Sequence, residues 1–159
     1  MIDHYLLFTD GSVNTKRKIG YGSFLLLNKT DLASSELDIR TKRFQNTTST
    51  KLELETLLWA LVTIDIRNVK LSVFTDSNLI MGLNDRRANL EKNNFYSATN
   101  KRLNNHLLYR DFYMMFDQMD FKLFKVKGHS KSSEKDRYDK LFSIVDKASR
   151  KALRNESKS

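Results

Sequence analysis

The chain has 159 residues, enough for one domain that buries about two-thirds of its unfolded surface, and with no Cys it can build neither a disulfide framework nor a thiolate metal site. Its 28 Lys and Arg against 19 Asp and Glu leave a net charge of +9, which favours a polyanionic partner, nucleic acid foremost. No segment approaches the ~18 apolar residues of a membrane span, and the start Met1-Ile2-Asp3-His4 lacks the basic region of a targeting signal, so a soluble, cytoplasmic protein without a membrane role is expected.

The first element is the apolar run Tyr5-Leu6-Leu7-Phe8, a buried strand that gives way to Thr9-Asp10-Gly11-Ser12. A polar turn around Asn14-Thr15-Lys16 leads to a second strand, Gly20 to Leu27, and a third ends near Arg43-Phe44. Thr50 to Val62 carries apolar residues at helical spacing, with Ser49 or Thr50 as its N-cap. That helix feeds the strand Leu71-Ser72-Val73-Phe74, which stops at Thr75-Asp76-Ser77, and a helix between two strands is the crossover that joins parallel neighbours. Ser77 to Leu83 starts another helix, Leu103 to Phe116 forms an amphipathic one, Phe121 to Val126 alternates as a strand, and a helix from about Lys135 to Arg154 closes the domain. The order predicts an α/β fold with a five-stranded mixed β-sheet flanked by α-helices: one catalytic domain over 1–154 and a polar tail over 155–159.

Strands that stop together bring Asp10 and Asp76 to one sheet edge. Glu53, in the first turn of the helix between them, comes from an element that must pack beside both. A fourth acid lies in the closing helix, downstream of Lys127-Gly128-His129-Ser130. Asp139 and Asp146 both qualify, because seven residues is two helical turns and keeps them on one stripe about 10 Å apart. Clustered carboxylates repel one another, and hard divalent cations with oxygen ligands remove that conflict. Four carboxylates with open positions suit Mg²⁺, with Mn²⁺ as a substitute, better than zinc.

At this point the chain resembles a type 1 ribonuclease H over nearly its whole length. The family's first acid sits in Thr-Asp-Gly-Ser, matched by Thr9 to Ser12. Its second is a helical Glu before Leu, matched by Glu53-Leu54, its third lies in Thr-Asp-Ser, matched by Thr75 to Ser77, and a Gly-His pair, matched by Gly128-His129, precedes the last. Aligned without gaps, Glu134, Asp136, Arg137, Asp139 and Leu141 follow His129 at the family's spacing, which favours Asp139 as the fourth acid. The segment Val145-Asp146-Lys147-Ala148-Ser149-Arg150 offers the competing register. The resemblance implies a ribonuclease H-like fold and cleavage of the RNA strand of RNA·DNA hybrids by a monomer with no obligate protein partner. It also implies two Mg²⁺ ions, with Asp10 bridging both, Glu53 and Asp76 holding one, Asp139 or Asp146 the other, and His129 assisting proton transfer or product release.

By the same resemblance, substrate contacts fall on Gly11, Ser12, Asn14, Thr48, Ser49 and Asn78, and on a basic segment made of Arg86, Arg87, Lys92, Lys101 and Arg102 around Phe95 and Tyr96. Lys125 and Lys127 stand near enough in sequence to add phosphate contacts. Two departures from the family pattern stand out: Val13 to Lys18 is not rich in Gly and Pro, and Thr48-Ser49-Thr50 replaces an Asn-containing run. Two other classes compete with the nuclease: a nucleic-acid-binding domain of this fold that does not cleave, and another nuclease or transposase of the same superfold.

Overall fold

The computed structural model of the protein describes residues 2–32, 36–126 and 133–156. Five strands, β1 (His4–Asn14), β2 (Ile19–Asn28), β3 (Ile39–Gln45), β4 (Lys70–Thr75) and β5 (Lys122–Lys125), form one sheet in the order β3-β2-β1-β4-β5. β1, β2 and β3 pair antiparallel through hairpins, whereas β4 and β5 join β1 in parallel. Among the described residues four α-helices accompany the sheet: α1 (Ser49–Ile64), α2 (Asn78–Lys92), α3 (His106–Met119) and α4 (Ser133–Glu156). Among the described residues no helix is long and apolar enough to cross a membrane.

Period-two alternation sends the strand side chains into two cores. Leu7, Leu71 and Val73 pack with Leu54, Leu57 and Leu61 of α1 and with Phe112 of α3, while Leu6, Phe8 and Leu25 pack with Leu141, Phe142 and Val145 of α4. α1, α2 and α3 therefore cover one face of the sheet and α4 the other. Glycines let α1 lie close to β1 and β2. A Cβ on Gly20 would meet Leu52 Cδ2 at 2.7 Å, and one on Gly22 would meet Thr56 Oγ1 at 2.0 Å.

Several boundaries differ from those read in the sequence. β1 continues past Asp10 to Asn14, because β2 pairs with it along that whole length, from Tyr5↔Asn28 to Asn14↔Ile19. Its parallel pairing with β4 ends at Phe8↔Phe74, so the β4 side of β1 opens just before Asp10. Thr48, not Ser49 or Thr50, caps α1, its hydroxyl accepting from Lys51 N–H at 3.2 Å. α3 starts at His106 because Leu103 belongs to the loop, its N–H bonded to the Phe95 carbonyl at 2.8 Å. α4 extends through Glu156, whose carboxylate accepts from Arg43 and from Tyr21 Oη, so the polar tail is helical at its start.

Candidate metal centre and nucleic-acid interface

Register places the first two acids. Phe8 and Phe74 are parallel partners with rings stacked 4.8 Å apart, and Asp10 and Asp76 each follow two residues later. Glu53 enters from the first turns of α1. Its carboxylate accepts from Ser77 Oγ at 2.6 Å, while the same Ser77 hydroxyl accepts from Ile80 N–H at 3.2 Å and so caps α2. One serine thus ties the first turn of α1 to the start of α2 beside Asp76.

α4 contributes Asp146, whose carboxylate is held by Arg150 one turn on, at 2.5 Å from Nη2 and 3.1 Å from Nε. Ser149 sets this helix against the sheet: its hydroxyl lies 2.8 Å from Ser23 Oγ and 3.3 Å from the Asp10 carbonyl oxygen, and Ser23 continues to Thr41 Oγ1 at 2.8 Å. Ser149 and Ser23 are wholly buried. Earlier in the helix, Tyr138 stacks on Phe74 at 5.1 Å, so the first turns of α4 lie over the phenylalanine pair and the acid edge is reached only later.

Charge at this edge is only partly compensated, by Arg150 at Asp146 and Lys125 near Asp76. Burial, then a hydrogen bond to Asp146, then the charges of Asp76 and Asp146 push the Asp10 carboxyl up to about 8, against a smaller opposing pull from Gly11 N–H. Asp76 is raised by burial and by Asp146, with its own N–H and Lys125 opposing; Glu53 is raised by burial and by Asp76, with Ser77 opposing. The four side chains therefore sense one another. Asp139, the residue favoured by ungapped alignment, enters none of these interactions. Its Oδ2 is buried without a hydrogen-bond partner two turns before Asp146, so the structure brings Asp146, not Asp139, to Asp10.

Among the described residues no three His, Asp or Glu side chains converge into a preformed metal cage. Ser77 holds the Glu53 carboxylate and Arg150 holds that of Asp146. The donor set nevertheless fits hard divalent cations. Every ligand atom offered is a carboxylate oxygen, and burial followed by the neighbouring acids raises the Asp10 carboxyl to about 8. Lys127 and His129 lie outside the described residues.

The expected substrate contacts divide into free and committed groups. Arg87 is committed: its guanidinium donates to both Asp117 oxygens at 2.6 Å and to Glu91 at 2.8 Å, and it stacks 4.9 Å from the Tyr113 ring centre. It braces α2 against α3 and has no free fork for a phosphate, contrary to the role expected from sequence. Arg86, Lys92 and Lys101 are exposed, Arg102 lies 4.8 Å over Tyr96, and Arg86 lies 5.9 Å from the Tyr109 ring centre. Asn14 Oδ1 accepts from the N–H groups of Lys16 and Arg17 at 3.1 Å and shapes the hairpin turn. Thr48 serves as a cap beside exposed Ser49, Asn78 accepts from Lys125, and Gly11 and Ser12 sit in β1 opposite Gly22 and Tyr21. Sequence reasoning missed Ser77 as a partner of Glu53, and Ser149 and Arg150 as supports of Asp146. For Ser149 and Arg150 the signal was their spacing of three and four residues after Asp146, visible only once that acid is known.

Comparison with known proteins places the chain in a family. The family model for RNase H matches residues 3–146. A curated relative, a ribonuclease H from Pseudoalteromonas atlantica, is 32% identical over 152 residues, covering 94% of both chains. The solved RNase H domain of PFV is 16% identical with a TM-score of 0.69, covering 95% of this chain and 94% of that one. The foamy viral protease-reverse transcriptase in complex with an RNA/DNA hybrid is 9% identical with a TM-score of 0.62, and the match covers 90% of this chain but 19% of that one.

Proposed function

The chain belongs to the RNase H family and is a ribonuclease H, and from that premise we propose that it hydrolyses the RNA strand of RNA·DNA hybrids, leaving 5′-phosphate and 3′-hydroxyl ends. Two Mg²⁺ ions, replaceable by Mn²⁺, would be held by Asp10, Glu53, Asp76 and Asp146. Divalent cations bound there supply Lewis acidity to a phosphodiester oxygen and to a water, the chemistry that in-line displacement at phosphorus needs.

The chain's own groups prepare for this. β1 and β4 bring Asp10 and Asp76 to one edge by register, Ser77 orients Glu53, and Ser149 holds α4 so that Asp146 faces Asp10. Burial and the neighbouring acids raise the Asp10 carboxyl to about 8, so cation binding there would favour its ionised form. Lys125, which lowers the Asp76 carboxyl and bonds Asn78, stands beside the acids as a donor to phosphate. Arg86, Lys92, Lys101 and Arg102 offer exposed charge to the duplex backbone, with hybrid shape and the RNA 2′-hydroxyls as the basis of discrimination.

The observation that carries the reading is the placement of four carboxylates from β1, α1, β4 and α4 at one sheet edge, where burial and neighbouring acids raise Asp10, Glu53 and Asp76. The hybrid as substrate is supported by the solved relative whose complex contains one. Purified protein with Mg²⁺ or Mn²⁺ and a labelled RNA·DNA duplex tests the proposal. Cleavage of the RNA strand that disappears in Asp10→Asn supports it. Tight binding without a cut in either metal identifies a binding module, and cleavage of plain DNA identifies a different nuclease.

A further inference from the structure

Basic charge is spread unevenly over the two faces of the sheet. On the α4 face, residues 147–155 contain no acid, and Lys147, Arg150, Lys151 and Arg154 are all exposed. Lys147, Lys151 and Arg154 fall at intervals of four and three residues, one stripe about 10 Å long. None of these three has an ion-pair partner among the described residues, whereas Arg150 is spent on Asp146. The stripe continues at its far end. Glu156 accepts from Arg43, and Arg17 lies near enough to lower the Glu156 carboxyl, so the exposed turn Lys16-Arg17-Lys18 adjoins the end of α4.

This strip begins at Asp146, one of the four acids, and runs away from the α2–α3 side, where Arg86, Lys92, Lys101 and Arg102 stand. A rigid duplex engaged on that side cannot also fold around onto the outer face of α4, because double helices stay nearly straight over about 150 base pairs. A single strand bends freely enough to do so. No exposed aromatic residue lies along 147–155 or in the 15–18 turn, so contact there is with phosphate and carries no base preference.

We propose that the outer face of α4, from Lys147 to Arg154 and on to the Lys16-Arg17-Lys18 turn, binds a single-stranded nucleic-acid extension of the hybrid held at the acid edge. This inference rests on the hybrid-cleaving reading above and adds to it a second contact surface and the form of nucleic acid it takes.

The test compares the wild type with a Lys147→Glu, Lys151→Glu, Arg154→Glu triple variant. Both are bound in chelator, at several salt concentrations, to a blunt hybrid and to the same hybrid carrying a single-stranded extension of about ten nucleotides at either end. The extension should raise wild-type affinity by about three- to tenfold at low salt. The triple variant should lose that gain, with a salt slope shallower by about 2, and keep its affinity for the blunt hybrid, its cleavage rate and its Tm. A control carrying the same charge change at exposed Lys29, Lys70 and Lys122 should retain the gain. The proposal is overturned if the extension adds nothing in the wild type, if the triple variant keeps the gain, or if the control loses it equally. Failure of the functional reading shows separately, as a blunt hybrid that the wild type neither binds nor cuts. The strip is then read with the single strand alone, whose binding the triple variant must still lose.

Discussion

Two charged regions of this protein behave in opposite ways. Between α2 and α3, Arg87 is matched by Asp117 and Glu91, so positive and negative groups satisfy one another and serve the fold. At the edge where β1 and β4 part, Asp10, Glu53, Asp76 and Asp146 gather without enough positive charge, and the fold keeps them there against their repulsion. Charge that is neutralised locally holds elements together; charge left unneutralised marks a place where something from outside completes the balance.

The sharpest break of this contrast is at Asp10. Asp10→Asn should lower hybrid cleavage by about a thousandfold or more, since the proposed site would lose a ligand to its cations. The same change should raise the Tm in chelator at pH 7 by a few degrees. The sign follows from the shift. With the folded carboxyl raised from 3.8 to about 8, the folded state binds the extra proton, so stability present at pH 4 is lost as pH climbs toward 8, and an amide escapes that loss. Activity lost together with a lowered Tm in chelator would place Asp10 in the scaffold rather than in the charged site. Asp146→Asn should match the loss of cleavage, whereas Asp139→Asn should retain most activity; the reverse ranking in a steady-state assay would move the fourth acid two turns up α4.

Next in size is the packing that brings Glu53 to the edge. Gly22→Ala would drive a methyl into the buried Thr56 side chain and should cost about 2 kcal/mol in a denaturant titration, with cleavage surviving in proportion to folded protein. Arg87→Ala sharpens the other half of the contrast. It should lower stability by about 1 kcal/mol and leave hybrid affinity and its salt dependence unchanged, because the ion pairs it breaks are half-exposed and internal. A weakened, less salt-sensitive hybrid complex would return Arg87 to the interface. The smallest effect is expected at Ser149: Ser149→Ala leaves Ser23 short of a partner beneath Asp10 and should raise the Mg²⁺ concentration needed for half-maximal activity by severalfold with little change in Tm.

What the sequence discloses follows from which interactions are local. Asp10 and Asp76 can be placed together because each ends an apolar run, and a helix between the two strands dictates that they lie in parallel. Glu53 follows from the phase of α1. The choice between Asp139 and Asp146 is not legible in that way. Seven residues keep both on one helix stripe, and the register is set by tertiary contacts, Tyr138 on Phe74 and Ser149 on Ser23, whose partners lie far away along the chain. Arg87 misleads for the same reason: beside Arg86 it reads as free positive charge, and the carboxylate that occupies it lies thirty residues further on. The strand boundary at Asp10 is misplaced because β2 can extend β1 beyond the point where β4 leaves it.

Divalent cation should displace the proton that burial and the neighbouring acids favour on Asp10, and calorimetry of Mg²⁺ or Mn²⁺ binding at pH 7 in buffers of different ionisation enthalpy measures that exchange directly. Release of close to one proton by the wild type, falling away above pH 8 and absent in Asp10→Asn, is the predicted result. Cation uptake with no proton released by the wild type would contradict it.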